Sequence, residues 1–380
     1  MIKCLLAAVL RQIYKFVNFL LVYIQRLKLI SDVIPQIHSK ESTLTNHLIT
    51  KRGMLNCPFQ PPFILCNGYV QTLAGLFYKP LQEFHFQREY LQMSDKGAVA
   101  LDWFIHSTAK LKRTSPILLI FPRLTGNALS VGSICKLGVS KGMRPVVFNR
   151  RGYGSSLLFT SYLTSIGDTK DTRRVMEYIQ SKFPLGKIIG VGIGAGCTTL
   201  FSYLGEFGSS SLMKAAVNIS PSYDNTVGGR HIPKLYELLL LFHLKFHLIL
   251  KNWKVLCNSI DIKEILIKTW TLKKFDYLVY CKSCGKDSFD SFCQRNDPMR
   301  DVDDIAVPVL CINSYDDPVS VKENIPFDIF ELYPNLILVT VDKGGHCAFF
   351  ENVKGESWVD RLALQYLQHI LEFVSNSKYR

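Results

Sequence analysis

The chain has 380 residues, 48% of them hydrophobic and 20% charged, with a net charge of +14 at pH 7. This excludes a disordered or fibrous chain and suffices for one large α/β domain with an inserted subdomain, or for two domains. The basic excess is densest in residues 1–60, where eight Lys/Arg face only Asp32 and Glu41. That suits an anionic membrane surface, and without a basic aromatic-rich helix or a binding module no nucleic acid is expected.

Residues 1–30 are apolar but interrupted by Lys3, Arg11, Lys15, Arg26 and Lys28. A spanning helix needs about 20 uninterrupted apolar residues. The longest uncharged stretch, Phe16 to Gln25, is half that. Arg11 and Lys15 share a helix face, which predicts a segment lying flat in the membrane interface. A signal-anchor or a secretory signal is the alternative. Residues 31–85 form an N-terminal extension with weak signals, apart from the proline-broken Cys57-Pro-Phe-Gln-Pro-Pro62. The eleven cysteines are irregularly spaced. Cys281-x-x-Cys284 lacks a second pair at zinc-like spacing, so no metal is expected and the chain reads as mostly reduced. The Asn218-Ile-Ser220 glycosylation pattern falls in a predicted buried strand.

From residue 86 the pattern clears. Arg88–Met93 and Ala98–Asp102 flank Ser94-Asp-Lys-Gly97 as a β-hairpin. Apolar runs then alternate with helical patterns: Ile117–Phe121, Pro145–Phe148, Lys187–Val191, Ala215–Ile219, Val307–Ile312 and Leu336–Val341. Such runs mark a mostly parallel sheet with helices on both faces. A helix near Trp358–Val374 closes the chain. The core therefore divides into 86–222 and 301–380, and 223–300 is a helical cap insertion. Within it, the apolar stretch Leu235–Leu250 is too short and too charged to span a bilayer and reads either as a cap helix over a pocket or as a buried core helix.

Between the strand ending at Val191 and a helix over Cys197–Leu204 lies Gly192-Ile-Gly-Ala-Gly196. A G-x-S-x-G turn there would raise a serine on a sharp corner above the sheet, but this corner holds Gly194. The acid candidate Asp317, with Asp316 as fallback, follows the strand Val309–Ile312. His346 follows Leu336–Val341 in Lys343-Gly-Gly-His346. Both lie past the C-terminal ends of strands, where open α/β sheets build their sites. The order of nucleophile position, acid and histidine is that of α/β-hydrolases, with the acid holding the imidazole's tautomer and stabilising its cation. Singly, Asp317 is a turn residue before Pro318 and His346 a polar loop residue; together and in order they read as a triad with its first member missing.

The chain resembles the YheT-like α/β-hydrolase-domain family. The residues that carry this are Asn67-Gly-Tyr-Val-Gln-Thr72, Phe121-Pro-Arg-Leu-Thr-Gly-Asn127 and Val146-Val-Phe-Asn-Arg-Arg-Gly152. Ser202–Ser211, Arg295–Asp303, Asp316-Asp-Pro318 and Gly344-Gly-His-Cys347 extend the match to the C-terminus. The resemblance implies an α/β-hydrolase fold, with Gly194 at the nucleophile position, Asp317 as acid and His346 as base. It places the oxyanion donors at Ala195, Arg123 and Leu124, with Arg123 where relatives carry glycine. It further implies a membrane-associated esterase acting on acylglycerols, phospholipids or short acyl esters, without metal or organic cofactor.

Gly194 is compatible with a sound fold, because glycine adopts the strained elbow conformation freely. Loss of a triad serine costs about 10⁶ in rate, roughly 8 kcal/mol of barrier. Cys197 sits three residues along the helix and Ser202 two turns away, so neither is expected to substitute. The reading is a catalytically impaired hydrolase binding lipid, an acyl ester or a protein partner; the rival is an active serine-type carboxylic ester hydrolase. A third reading uses Gly190-Val-Gly-Ile-Gly-Ala195 as a dinucleotide fingerprint. That unit is internal and the ribose-binding acid about 20 residues on is absent, which argues against it. Arg150 and Arg151 are expected as turn and surface residues that could meet an anionic ligand.

Overall fold

The structure is a computed structural model and describes residues 32–50, 57–78, 83–106, 111–224, 232–281, 288–352 and 354–376. The predicted membrane-associating segment, residues 1–30, lies outside them. Among the described residues no helix is long and apolar enough to cross a membrane.

The apolar runs form one nine-stranded sheet. Its strands are β1 Gln36–Ser39, β2 His85–Gln92, β3 Ala98–Ile105, β4 Ile117–Phe121, β5 Arg144–Asn149, β6 Ile188–Ile193, β7 Met213–Ile219, β8 Val309–Ser314 and β9 Leu336–Val341. They lie in the order β1-β9-β8-β7-β6-β4-β5-β3-β2. From β5 to β9 every pairing is parallel, and β2, β3 and β1 join antiparallel at the two ends.

Alternation along β4 shows why the run is continuous. Leu118 and Ile120 pack in one core, with Ile134 of the helix Gly132–Ser140 and Leu362 of the helix Trp358–Asn376. Ile117, Leu119 and Phe121 pack in the other, with Met176 of the helix Lys170–Lys182 and Leu204 of the helix Ala195–Phe207. A strand buried on both faces has no polar side to display, so its sequence loses the period-2 signature.

Strand β1 was not legible in the sequence. It pairs with β9, Gln36 opposite Thr340, and its four residues carry no buried apolar side chain that would have marked it. The stretch Leu235–Leu250 is an α-helix, Lys234–Leu244, that continues as a π-turn over Lys245–Leu250. Leu241, Leu244, Leu248 and Ile249 enter a separate cap core with Leu158 and Leu163, while Phe242 and Phe246 face outward. It is thus a two-faced cap helix rather than a fully buried one.

Arg151 corrects the expectation of a surface residue. Its side chain is buried and makes two 2.7 Å hydrogen bonds to Asp171 and one of 2.5 Å to Asp95. Arg150 donates to the Thr164 carbonyl at 2.7 Å and lies over the Tyr153 ring. Two adjacent arginines in a turn point to different sides, and only the internal acids decide which one is buried.

Candidate active site

The corner between β6 and the helix Ala195–Phe207 is built by glycines that cannot carry a side chain. A β-carbon on Gly196 would stand 2.1 Å from the Phe121 carbonyl oxygen, and one on Gly192 2.8 Å from the Cys197 Cα. These contacts are with backbone and cannot yield. Between them Gly194 adopts φ +52° and ψ −116°, and its N–H donates to the Ile219 carbonyl at 2.9 Å. The turn is therefore a nucleophile elbow in backbone geometry, without the side chain.

Asp317 stands three residues past β8, with its carboxylate buried. Its Oδ1 accepts the backbone N–H groups of Val319 and Ser320 at 2.7 and 2.8 Å. That leaves Oδ2 for His346 Nδ1, at 2.8 Å. Because the carboxylate only accepts, Nδ1 carries the proton and Nε2 faces the corner. A β-carbon on residue 194 would lie 3.2 Å from His346 Nε2. The three predicted positions are thus together: acid, imidazole and an empty corner.

Burial alone would lower the His346 pKa. The Asp317 charge and hydrogen bond, joined by the Cys347 side chain, overcome this and raise it well above the ordinary histidine value. Asp316, the fallback acid, is elsewhere. Its Oδ1 accepts the Gly345 N–H at 3.0 Å, and burial pushes its pKa up. It holds the histidine loop rather than the imidazole.

The motif Asn67–Thr72 supplies the other buttress, a role its residues did not announce. Asn67 caps the helix Gly68–Phe77 by accepting from Tyr69 and Val70 N–H. One turn along, Thr72 Oγ1 accepts the His346 N–H at 2.8 Å and donates to the Gly68 carbonyl at 2.6 Å. Gln71 accepts the Phe350 N–H at 2.8 Å. On the opposite side Ser220 Oγ accepts the Cys347 N–H at 3.0 Å. Ser220 and Cys347 both hold positive φ, +50° and +60°. Strain of about 1–3 kcal/mol at each such residue persists where the surroundings over-determine the backbone.

Sequence reasoning missed Cys347. Its Sγ lies 3.0 Å from the point where a β-carbon on Gly194 would stand. Its signal, a thiol directly after the predicted histidine, was in plain view. Cys197 is buried and its thiol is engaged, donating at 3.3 Å to the same Ile219 carbonyl that accepts the Gly194 N–H. Ser202 accepts from Arg300 at 3.0 Å on the far side of its helix, so the two long motifs at 202–211 and 295–303 pack on each other. Arg300 also reaches Glu206 at 3.2 Å.

A cavity of about 190 Å³ opens over the corner. Gly194, Ala195, Arg123, Leu124 and His346 line one part, so the residues expected as oxyanion donors and the His346 imidazole border one space. Leu240, Leu244, Leu272, Phe275 and Phe292 of the cap line another part, beside Arg150, Asp276 and the Tyr153–Tyr280 pair. Such a wall offers an apolar body its surface, with few polar groups converging at one end.

No family model matches the chain. Among curated proteins, human protein ABHD15 is 33% identical over 319 residues, covering 80% of this chain and 67% of its own. Human phospholipase ABHD3 is 27% identical over 323 residues, covering 82% and 79%. The monoacylglycerol lipase of Saccharomyces cerevisiae is 23% identical over 355 residues, covering 80% and 79%. With the sheet order, the elbow and the inserted cap, these similarities establish that the chain belongs to the α/β-hydrolase-domain family that includes ABHD15.

Proposed function

We propose that this chain is a carboxylesterase- or monoacylglycerol-lipase-like α/β-hydrolase whose turnover is disabled at Gly194, and which retains the family's acyl cavity as a binding site for lipid or acyl ester. The observation that carries this is the 3.2 Å between His346 Nε2 and the β-carbon position of residue 194, where no nucleophile stands. Asp317 and His346 take the roles of acid and base, and the Ala195 and Leu124 N–H groups, with Arg123 beside them, take that of the oxyanion hole. An ester carbonyl over the corner meets an imidazole and hydrogen-bond donors, but nothing that attacks. The exposed Leu235, Phe242, Phe246 and Trp253 of the cap, with the basic N-terminal segment, support delivery of such ligands from a membrane surface. The relatives named phospholipase and monoacylglycerol lipase support the lipid class.

Hydrolysis of p-nitrophenyl esters and monoacylglycerols by the purified chain, beside Gly194→Ser, tests this. Near-background rates for the native chain and a gain for the variant are expected. Equal turnover by both overturns the impairment.

One contact favours a second reading, an active ester hydrolase with its nucleophile supplied from elsewhere. The Cys347 thiol stands over the empty corner beside the imidazole. In that case the native chain turns over esters and iodoacetamide abolishes it, as does Cys347→Ala.

A further inference from the structure

Arg123 is held in a place where a guanidinium has nothing to bind. Its Nε is buried without a partner, and no carboxylate among the described residues pairs with it. Gly126 makes room for the side chain, a β-carbon there standing 3.1 Å from Arg123 Cγ, and Arg123 Nη1 reaches to 3.7 Å from the β-carbon position of Gly75. The side chain passes beside the empty corner, Cβ at 3.6 Å from the β-carbon position of residue 194, and faces the cavity. Burial pushes its pKa down from the ordinary arginine value, yet a guanidinium stays charged under any physiological condition. A half-buried charge without a partner is costly, and a ligand of opposite charge relieves that cost.

The other charges around the cavity do not supply that partner. Asp317 is engaged with His346 and with two backbone N–H groups. Arg150 also borders the cavity, but its guanidinium is engaged elsewhere, donating to the Thr164 carbonyl at 2.7 Å and lying over the Tyr153 ring. His243 is driven down to about 4 by burial, its neighbour His247 and Arg123 itself, and is neutral at pH 7. Arg123 is therefore a cation that lines the cavity beside the corner, its Cβ 3.6 Å from the β-carbon position of residue 194, with no acid among the described residues to pair it.

We propose that the cavity binds a monocarboxylate with an apolar tail, a free fatty acid, with its carboxylate held by the Arg123 guanidinium and the His346 Nε2–H over Gly194. This rests on the acyl-cavity reading above and specifies its ligand. The missing side chain is what admits the headgroup: a carboxylate occupies the room that a seryl CH₂OH would fill. A neutral ester leaves the guanidinium unpaired, and a phosphate dianion brings one charge too many for a single free cation. The apolar cap residues Leu240, Leu244 and Phe275 receive the tail. The site so read recognises the acid that ester hydrolysis would release, and holds it without making it.

The test uses the full chain and displacement of a fluorescent fatty-acid analogue by laurate, methyl laurate, monolaurin and lauryl phosphate. Laurate is expected to bind about ten- to a hundredfold more tightly than methyl laurate, the range of a charge-assisted hydrogen-bond pair. Arg123→Met erases that preference by weakening laurate binding, and Arg123→Lys retains part of it. Equal affinity of the native chain for laurate and methyl laurate overturns the proposal, as does unchanged laurate binding by a folded Arg123→Met. Tighter binding of lauryl phosphate than of laurate overturns the choice of carboxylate. If none of the four ligands binds, the acyl-cavity reading itself falls. Should Arg123→Met not fold, the comparison of laurate with methyl laurate on the native chain decides alone.

Discussion

Cys347 Sγ lies closer than His346 Nε2 to the point where a β-carbon on Gly194 would stand, 3.0 Å against 3.2 Å. A serine placed at this corner therefore meets the thiol before it meets the imidazole. The crowding is of a few tenths of an ångström and falls on one side chain. Gly194→Ser also places a β-carbon at φ +52°, which costs about 1–3 kcal/mol. The variant is expected to melt at lower temperature than the native chain and to hydrolyse p-nitrophenyl acetate about a hundredfold or more above it. Adding Cys347→Gly removes the sulfur and relaxes the positive φ of residue 347, and should raise the rate roughly tenfold further, since small misplacements of a nucleophile carry large penalties. A double variant no faster than the single one sinks the crowding argument.

The Asp317–His346 pair gives stability a definite pH dependence. His346 has a folded pKa above its unfolded value of about 6.5, because the Asp317 carboxylate outweighs burial of the ring. The folded state thus holds the proton more tightly. The stabilisation is complete below the unfolded pKa, as long as Asp317 is ionised, and is lost as pH rises through the folded value. His346→Gln should cost roughly 2–3 kcal/mol near pH 6, less than the loss for a fully enclosed pair, and distinctly less in alkaline solution. Thermal melts of both proteins across pH measure this; a gap that does not narrow with rising pH removes the raised pKa from the account.

Thr72 tests whether the helix Gly68–Phe77 positions the imidazole. Thr72→Val keeps the shape and removes the oxygen that accepts the His346 N–H and donates to the Gly68 carbonyl. A loss of about 1–2 kcal/mol of stability is expected. In the Gly194→Ser background the same change should lower kcat with KM nearly unmoved, which a purely structural role would not do.

Arg151 forms a buried ion pair in the core. With Asp171 it forms a bidentate contact between side chains only 4% and 7% exposed. Arg151→Leu leaves Asp171 buried with its partner gone, at about 3–5 kcal/mol. Arg151→Lys keeps the charge but not the fork, and should fall between the two. Chemical denaturation of the three proteins gives the order; a leucine variant as stable as the native chain contradicts the burial of this pair.

What the sequence by itself determined is whatever is written locally. Near-continuous Val/Ile/Leu runs identify the parallel strands, because a strand covered on both faces needs apolar side chains at every position. The Gly192-Ile-Gly-Ala-Gly196 pattern identifies the elbow, because only glycine fits against the Phe121 carbonyl and the Cys197 backbone. The order of Gly194, Asp317 and His346 was readable for the same reason: each follows a strand whose end the pattern marks.

Tertiary structure alone decided the rest, because it depends on groups far apart in the chain. Asp316 and Asp317 are indistinguishable in sequence, and the turn that offers Val319 and Ser320 N–H groups to one and the Gly345 N–H to the other assigns their tasks. Strand β1 exists because β9, some three hundred residues later, offers it an edge. Arg150 and Arg151 part company at a turn, one to the cavity and one to Asp171. Cys347 and Arg123 come to the corner only through folding, the thiol 3.0 Å and the Arg123 Cβ 3.6 Å from the β-carbon position of Gly194, and no spacing along the chain records that distance.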